Sequence, residues 1–205
     1  ALISSGPAKP KPVLAGVVCA PHPGESACGD AFAIESGSGV TTVLVVDGLG
    51  HGPAAEQAAQ IAVASFQAHP QDSPTEAISR MEGVLRQTRG AAAAVARLDR
   101  GRQVARFAGI GNVAGVVISD GDHSRHMVSE HGIVGQATRQ PREYEYPLPP
   151  SSVVVLHTDG IGSRWKLDTY PGLLRKHPMI SAGIIYRDHR RTNDDATVVV
   201  LREAA

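Results

Sequence analysis

Four aspartates lie at the ends of segments whose composition predicts β-strands. Two of them follow an apolar run and two come just before one, and in chain order they are Asp30, Asp47, Asp159 and Asp194. When neighbouring strands of a sheet run antiparallel, the end of one strand meets the start of the next. We therefore expect these four carboxylates to converge at one edge of an antiparallel sheet.

The first two aspartates flank a predicted β-hairpin. Two β-like runs between Asp30 and Asp47 are joined by a turn rich in Gly and Ser, which is the usual chemistry of a hairpin connection. With the turn centred on Gly37–Ser38, Asp30 falls opposite the stretch from Val45 to Asp47. The sequence alone thus brings two of the carboxylates together.

Carboxylates packed this closely repel one another and raise one another's pKa unless a positive charge lies between them. Oxygen ligands without a cluster of thiolates or imidazoles suit Mg²⁺ or Mn²⁺ better than zinc. The alternative interpretation is structural, because Asp favours the turns that flank strands in any case. Four aspartates at compatible strand ends, three of them beside a glycine, favour a divalent metal site.

The densest motif is Asp47–Gly48–Leu49–Gly50–His51–Gly52. Its glycines permit close approach of the backbone, so that a main-chain carbonyl can join the ligands of a metal. A helix is predicted to begin at Pro53, since proline suits the first helical position. A nucleotide phosphate loop is the alternative, and it is disfavoured because no Lys-Ser or Lys-Thr pair follows and the glycine spacing is not GxGxxG.

The rest of the chain predicts an α+β fold in which antiparallel sheets are covered by helices. Strands come first, then two helices, then a long series of strands, one more helical region and a last strand, an order that argues against a doubly wound parallel sheet. Besides the hairpin, strands are predicted at 14–19, 91–98, 103–108, 114–119, 125–129, 152–157 and 196–201. Helices are predicted at 54–68 and 75–87, and a helical region at 173–187 is interrupted by a break at Pro178.

Composition narrows the function classes. The 205 residues carry 20 basic and 20 acidic side chains, so no net field favours nucleic acid or an anionic membrane. No apolar run is long enough to cross a bilayer, and no secretion signal is recognisable. Cys19 and Cys28 are too few and too poorly spaced for zinc, and we expect two reduced thiols in a cytoplasmic protein, although a disulfide is possible.

Five motifs together resemble the SpoIIE-like branch of the PPM family of metal-dependent phosphatases. They occur in the family's order and span roughly residues 14 to 202. Asp47 to Gly52 resembles the family's DGxGHG signature. The other four motifs are Gly29–Asp30, Gly109–Ile110–Gly111–Asn112, Thr158–Asp159–Gly160 and Asn193–Asp194–Asp195–Ala196–Thr197.

This resemblance implies an αββα sandwich of two mainly antiparallel sheets flanked by helices, formed by residues 13–205 behind a linker at 1–12. It implies two Mn²⁺ or Mg²⁺ ions that activate water for attack on phosphoserine or phosphothreonine. Carried over by motif, Asp47 bridges the metals, the Gly48 carbonyl binds one, and Asp159 and Asp194 complete the other. Asp30 is a metal residue that acts through bound water, and the supporting residues are His51, Asn112 and Asp195.

The chain also departs from the larger members of the family. It has little room for an inserted flap, and no N-terminal arginine is placed to bind the substrate phosphate. Possible replacements are Arg80, Arg89, His22 and Arg164, although each is also an ordinary solvated residue.

The short length and the spacing of the motifs resemble the RsbX-like subgroup, which acts in bacterial partner switching and stress signalling. The implied partner is a phosphorylated STAS-domain protein, and a fused or associated anti-sigma kinase domain is possible. Neither a nucleic acid nor a membrane is expected as a partner. The alternative function is a catalytically weak or inactive regulatory domain of the same fold.

Overall fold

The computed structural model describes residues 12–119, 123–137, 140–167 and 169–204. The expected linker at 1–12 therefore lies outside the described residues except for Pro12, as does the turn expected at 120–122. Along the described chain the elements are β1 Val13–Ala20, β2 Asp30–Gly37, β3 Val40–Gly48, α1 Pro53–Gln67, α2 Pro74–Val84, β4 Ala91–Asp99, β5 Val104–Ile110, β6 Ala114–Ser119, β7 His123–Met127, β8 Tyr144–Pro147, β9 Val153–His157, α3 Pro178–His189 and β10 Ala196–Glu203.

The strands form two five-stranded sheets. Sheet 1 has the order β2-β3-β4-β5-β8 and sheet 2 has the order β1-β10-β9-β6-β7, and neighbouring strands within each are antiparallel. Helices α1 and α2 cover the outer face of sheet 1, and α3 covers the outer face of sheet 2. The predicted αββα sandwich is confirmed.

The hairpin of β2 and β3 shows how local sequence sets the register. Ser38 and Gly39 form its two-residue turn, and both have positive φ, 52° and 79°, as a primed hairpin turn requires. This turn lies one residue later than the expected Gly37–Ser38. As a result Asp30 pairs directly with Asp47, at one end of the range that the sequence predicts.

Strand β3 is apolar throughout because both of its faces are covered. Leu44 and Val46 face the helices, whereas Val43 and Val45 face the other sheet, as the two-residue period of a strand dictates. By the same alternation Asp47 points into the space between the two sheets. Asp47 therefore lies at the edge of the apolar core between the sheets.

The helices begin where their capping residues predict. Ser73 caps α2 in a full capping box, in which its side chain accepts from the Glu76 N–H and the Glu76 side chain accepts from the Ser73 N–H, an arrangement that satisfies two otherwise unpaired donors. Pro53 and Pro178 occupy the first turns of α1 and α3. The helical region expected at 173–187, with a break at Pro178, is a 3-10 turn at Leu173–Arg175 followed by α3, which begins at Pro178.

One strand, β8, was not predicted from the sequence. Strand β8 has four residues, alternates between partly buried and exposed positions, and lies at the edge of sheet 1 against β5. Such a short polar edge strand carries little apolar periodicity. Among the described residues, no helix is long and apolar enough to cross a membrane.

Candidate functional site

A cleft of about 550 Å³ opens at one end of the sandwich, between the two sheets. Three of the four predicted aspartates, Asp47, Asp159 and Asp194, line it together with Asn112. The remaining lining residues are Leu49, Gly50, Ala92, Gly111, His131, Gly132 and Ile133. The structure thus brings Asp47 together with two carboxylates that lie more than a hundred residues later in the chain.

The carboxylates come from both sheets. Asp47 is near the end of β3 in sheet 1, whereas Asp159 follows β9 and Asp194 precedes β10, which are neighbours in sheet 2. The expectation that the edge of one sheet gathers all four is therefore corrected. Antiparallel pairing places the residues within each sheet, and the packing of sheet on sheet brings the two groups together.

Burial and repulsion from neighbouring carboxylates make the charged form of Asp47 unfavourable. Burial, followed by the charges of Asp159, Asp194 and Asp195, raises the pKa of Asp47 to about 7 against a hydrogen bond from Asn112, which lowers it. The pKa of Asp194 is raised as well, first by burial and then by Asp159. The cleft therefore has unbalanced negative charge, which a cation would relieve.

Asp30 is buried opposite Asp47 and does not line the cleft. Its Oδ2 accepts a hydrogen bond of 2.7 Å from Thr158 Oγ1, and Thr158 Oγ1 in turn accepts one of 2.9 Å from the Thr197 N–H. Burial, followed by the charge of Asp47, raises the pKa of Asp30 to about 9. The suggestion that all four aspartates share one cleft is thus corrected, because Asp30 lies in the layer beneath it.

Asp195 is also buried beneath the cleft. Its Oδ1 accepts the His22 N–H at 2.8 Å, while its Oδ2 has no hydrogen-bond partner among the described residues. Gly160 passes so close that a Cβ on it would lie 1.8 Å from the Asp195 carbonyl oxygen. Only glycine fits there, which accounts for the glycine that follows Asp159.

Gly48 lies against the first turn of α1. A Cβ on Gly48 would lie 2.2 Å from the Ala55 carbonyl oxygen, so a side chain at this position would push the helix away. Its N–H donates to the Gly29 carbonyl at 2.9 Å. This contact ties the glycine-rich loop to the start of β2 and fixes the backbone beside Asp47.

His51 belongs to the same motif but lies away from the cleft. It is exposed, its Nδ1 pairs with Glu25 Oε1 at 3.0 Å, and its ring stacks on His22 with centroids 5.0 Å apart. These contacts link the loop before α1 to the loop before β2. Of the two roles open to it from sequence, a loop-bonding histidine or a proton donor, the geometry matches the first.

Of the four possible phosphate-binding residues, Arg89 lies beside the cleft. A Cβ on Gly50, which lines the cleft, would lie 3.1 Å from Arg89 Nη1. Arg80 pairs with Asp72 at 2.8 Å, and Arg164 is exposed. His22, the fourth, is occupied by the stacking and backbone contacts described above.

The loop that forms one wall of the cleft was not predicted from the sequence. His131, Gly132 and Ile133 line it, held by backbone hydrogen bonds between Glu130 and the Gly109–Gly111 stretch and between Val134 and Ala91. The signal in the sequence was weak, because a single His beside glycines in a loop has many ordinary explanations.

The donor set fits a hard divalent cation. Among the described residues, no three His, Cys, Asp or Glu side chains already stand in a closed coordination arrangement. The three cleft carboxylates, however, offer oxygen atoms alone, and the raised pKa of Asp47 and the unpartnered Oδ2 of Asp195 show charge and hydrogen-bonding capacity that the protein does not satisfy itself. Mg²⁺ and Mn²⁺ prefer such oxygen donors.

Comparisons with known proteins give the same fold. The sequence matches the family model of stage II sporulation protein E (SpoIIE) over residues 37–203. It is 22% identical to the phosphoserine phosphatase RsbX of Bacillus subtilis (strain 168) over 138 residues, which cover 67% of this chain and 69% of RsbX.

Two solved structures are similar along nearly the whole chain. One belongs to the bacterial stressosome, described as a modular system adapted to control secondary messenger signalling. It is 28% identical with a TM-score of 0.87, and the match covers 94% of this chain and 100% of that one. RsbX in complex with magnesium is 18% identical with a TM-score of 0.82, and the match covers 94% and 96% of the two chains.

Proposed function

Because this chain belongs to the SpoIIE family and is a PPM-type protein serine/threonine phosphatase, we propose that it hydrolyses phosphoserine or phosphothreonine in a reaction that depends on divalent metal ions. The observation that carries this proposal is the cleft in which Asp47, Asp159 and Asp194 stand together with unbalanced negative charge. We further propose that residues 13–205 form the phosphatase domain and that 1–12 form a linker.

We assign the ligands by motif and position. Asp47, Asp159 and Asp194 would hold Mg²⁺ or Mn²⁺ directly, the Gly48 carbonyl would complete one site, and Asp30 would act through water. Bound ions of this kind supply a nucleophile from water near neutral pH and offset charge on the phosphoryl oxygens. We propose two ions, as in the two-metal arrangement that the motifs resemble.

Side chains around the cleft orient the ligands. Asn112 Nδ2 donates to Asp159 Oδ2 at 2.6 Å, which fixes the direction in which that carboxylate faces. The Asp195 N–H donates to Asp194 Oδ1 at 3.0 Å and does the same for the neighbouring ligand. Hydrogen bonds of this kind hold ligands in place before a metal arrives, and they commonly change affinity strongly when removed.

Binding of the substrate phosphate requires positive charge, which the cleft carboxylates do not provide. Arg89 reaches the rim at Gly50, and its guanidinium matches the geometry of phosphate oxygens. We propose that Arg89 binds and orients the phosphoryl group. Because the guanidinium would contact the phosphoryl group equally in the ground and transition states, it would lower KM with little effect on kcat.

We propose that the physiological substrate is a folded phosphoprotein, namely a phosphorylated STAS-domain protein in a partner-switching circuit. This proposal is supported by the similarity to RsbX and to a stressosome structure. The cleft is broad and open and lacks a long covering segment among its described lining residues. Selectivity would then come from a protein surface docked over the cleft, since few local contacts exist for a short peptide.

Metal dependence tests the chemistry. Hydrolysis of a chromogenic phosphate ester should require added Mn²⁺ or Mg²⁺ and stop with excess chelator, because the nucleophile is generated at the metal site. Glu145→Gln, an exposed carboxylate on β8, should behave like the wild type and serves as the control for surface charge. Full activity in excess chelator would contradict the proposal, and tight binding of the phosphoprotein without turnover would favour the inactive regulatory domain.

A second experiment tests the substrate. The kcat/KM for the folded phosphorylated STAS protein should exceed that for its isolated phosphopeptide by at least about tenfold, or about 1.4 kcal/mol of barrier. Equal values would mean that recognition is confined to the phosphorylated residue. The partner-switching assignment would then fail, while the phosphatase assignment would stand.

A further inference from the structure

The two cysteines of the chain lie close together, although one is in a strand of sheet 2 and the other is in the loop that leads into sheet 1. Cys19 is near the end of β1 in sheet 2, and Cys28 lies two residues before β2 in sheet 1. Both are free thiols, and their Sγ atoms lie 3.7 Å apart. Nothing in the proposed phosphatase reaction uses either sulfur, so their proximity calls for a separate explanation.

The pair is open to small reagents. Cys19 is exposed and Cys28 is partly buried. Both line a surface pocket of about 220 Å³, which also includes Asp30, Phe32 and Glu56 and shares no lining residue with the cleft of Asp47. A disulfide requires the sulfurs to approach to about 2.05 Å. Cys28 lies in a loop outside any strand.

We propose that Cys19 and Cys28 are a modification site that forms a reversible intramolecular disulfide with a low-molecular-weight disulfide as the oxidant. The exposed Cys19 thiolate attacks that oxidant, which forms a mixed disulfide and releases one small thiolate. Cys28 then loses its proton and attacks Cys19 Sγ, which releases the second small thiolate. Two protein thiols are oxidised and one small disulfide is reduced to two thiols, so atoms and electrons balance.

The disulfide would close the loop that supports the buried side of the cleft. Between the two cysteines, the His22 N–H donates to Asp195 Oδ1 and Glu25 pairs with His51. Closing this loop restricts its opening without adding a contact in the cleft. Oxidation should therefore slow local opening of the loop, and this inference stands whether or not the proposed phosphatase activity is correct.

Peptide mapping tests the bond directly. A protease that cleaves after glutamate cuts at Glu25, between the two cysteines, so the resulting fragments remain joined after oxidised glutathione treatment only if the disulfide has formed. We expect a joined pair in the monomer, loss of two hydrogen atoms in intact mass, and full reversal by a dithiol reductant. Separate fragments that each carry glutathione, or dimers linked between chains, would overturn the proposal.

Hydrogen exchange tests the effect on the loop. After oxidation, amides between residues 20 and 28 should exchange at least about threefold more slowly, whereas amides of α2 should not change. Cys28→Ser treated in the same way is the matched control and should show neither effect. Wild-type exchange that is unchanged although the disulfide has formed would overturn the claim that the bond restrains this loop.

Discussion

Replacing Asp47 by Asn should stabilise the metal-free protein while removing its activity. Asn has nearly the same size but no charge, so the change isolates the electrostatic cost of the carboxylate. The pKa of Asp47 is raised from 3.8 to about 7, and each pKa unit corresponds to about 1.36 kcal/mol, so its ionisation costs the fold roughly 4 kcal/mol. Solvent screening at this partly exposed side chain lowers the expected gain to about 2–4 kcal/mol.

The gain should depend on pH in a defined direction. The unfolded chain loses the Asp47 proton near its ordinary pKa of 3.8, whereas the folded chain keeps it until about pH 7. Between these values the folded state binds more protons than the unfolded state, so wild-type stability falls as pH rises and levels off above pH 7. The advantage of Asp47→Asn should therefore be full at about pH 8 and roughly half as large at about pH 5.5.

Urea unfolding with chelator at both pH values measures this difference in stability. The same experiment with Mn²⁺ measures how much metal binding stabilises each protein. The wild type should gain about 2.7 kcal/mol at a metal concentration about a hundredfold above the dissociation constant. The variant should gain little, and its turnover should fall by orders of magnitude. Glu145→Gln should match the wild type throughout. An apo variant no more stable than the wild type, or one stabilised equally by Mn²⁺, would refute the reasoning.

Three further substitutions test other parts of the structure. Arg89→Ala should raise KM at least about fivefold with little change in kcat, because it removes binding that is equal in ground and transition states. Steady-state kinetics measure this change. Arg80→Ala is the control and should leave KM unchanged, because the guanidinium of Arg80 is held by Asp72. Phe107→Ala should cost about 3–5 kcal/mol in urea unfolding because the ring is fully buried, whereas Phe32→Ala, at 37% exposure, should cost far less. Thr158→Val should cost about 1–3 kcal/mol by the same assay, since it removes two buried hydrogen bonds.

Local features of this fold were predictable because their causes are local. The hairpin follows from alternating apolar residues and a Gly/Ser turn. Asp30 pairs with Asp47, at one end of the predicted range, because the turn is centred on Ser38–Gly39 and not on Gly37–Ser38. The capping box at Ser73 is likewise visible within four residues. Such signals fix an element and its ends without reference to the rest of the chain.

Pairing between distant segments was not predictable in the same way. Nothing near Val13–Ala20 in the sequence indicates that this strand joins Ala196–Glu203, and only the family resemblance predicted the division of the strands into two sheets. The cleft wall at His131–Ile133 is likewise held by backbone bonds to β4 and β5. Residue types identified three of the cleft carboxylates, but only the packing of the sheets showed that Asp30 lies beneath the cleft.

The position of the carboxylates at the open end of the core explains how one fold holds them together. Asp47 continues the row of side chains that includes Val43 and Val45, and Thr158 continues the row of Val154 and Leu156, so both rows lead out of the apolar layer between the sheets. At that boundary the Thr158 hydroxyl donates to Asp30 across the sheets. A hydrogen bond therefore joins the sheets where apolar packing ends, and the three cleft carboxylates lie just beyond it. The sheets cannot slide apart without separating Asp47 from Asp159 and Asp194, so the affinity for metal and the packing of the core should change together.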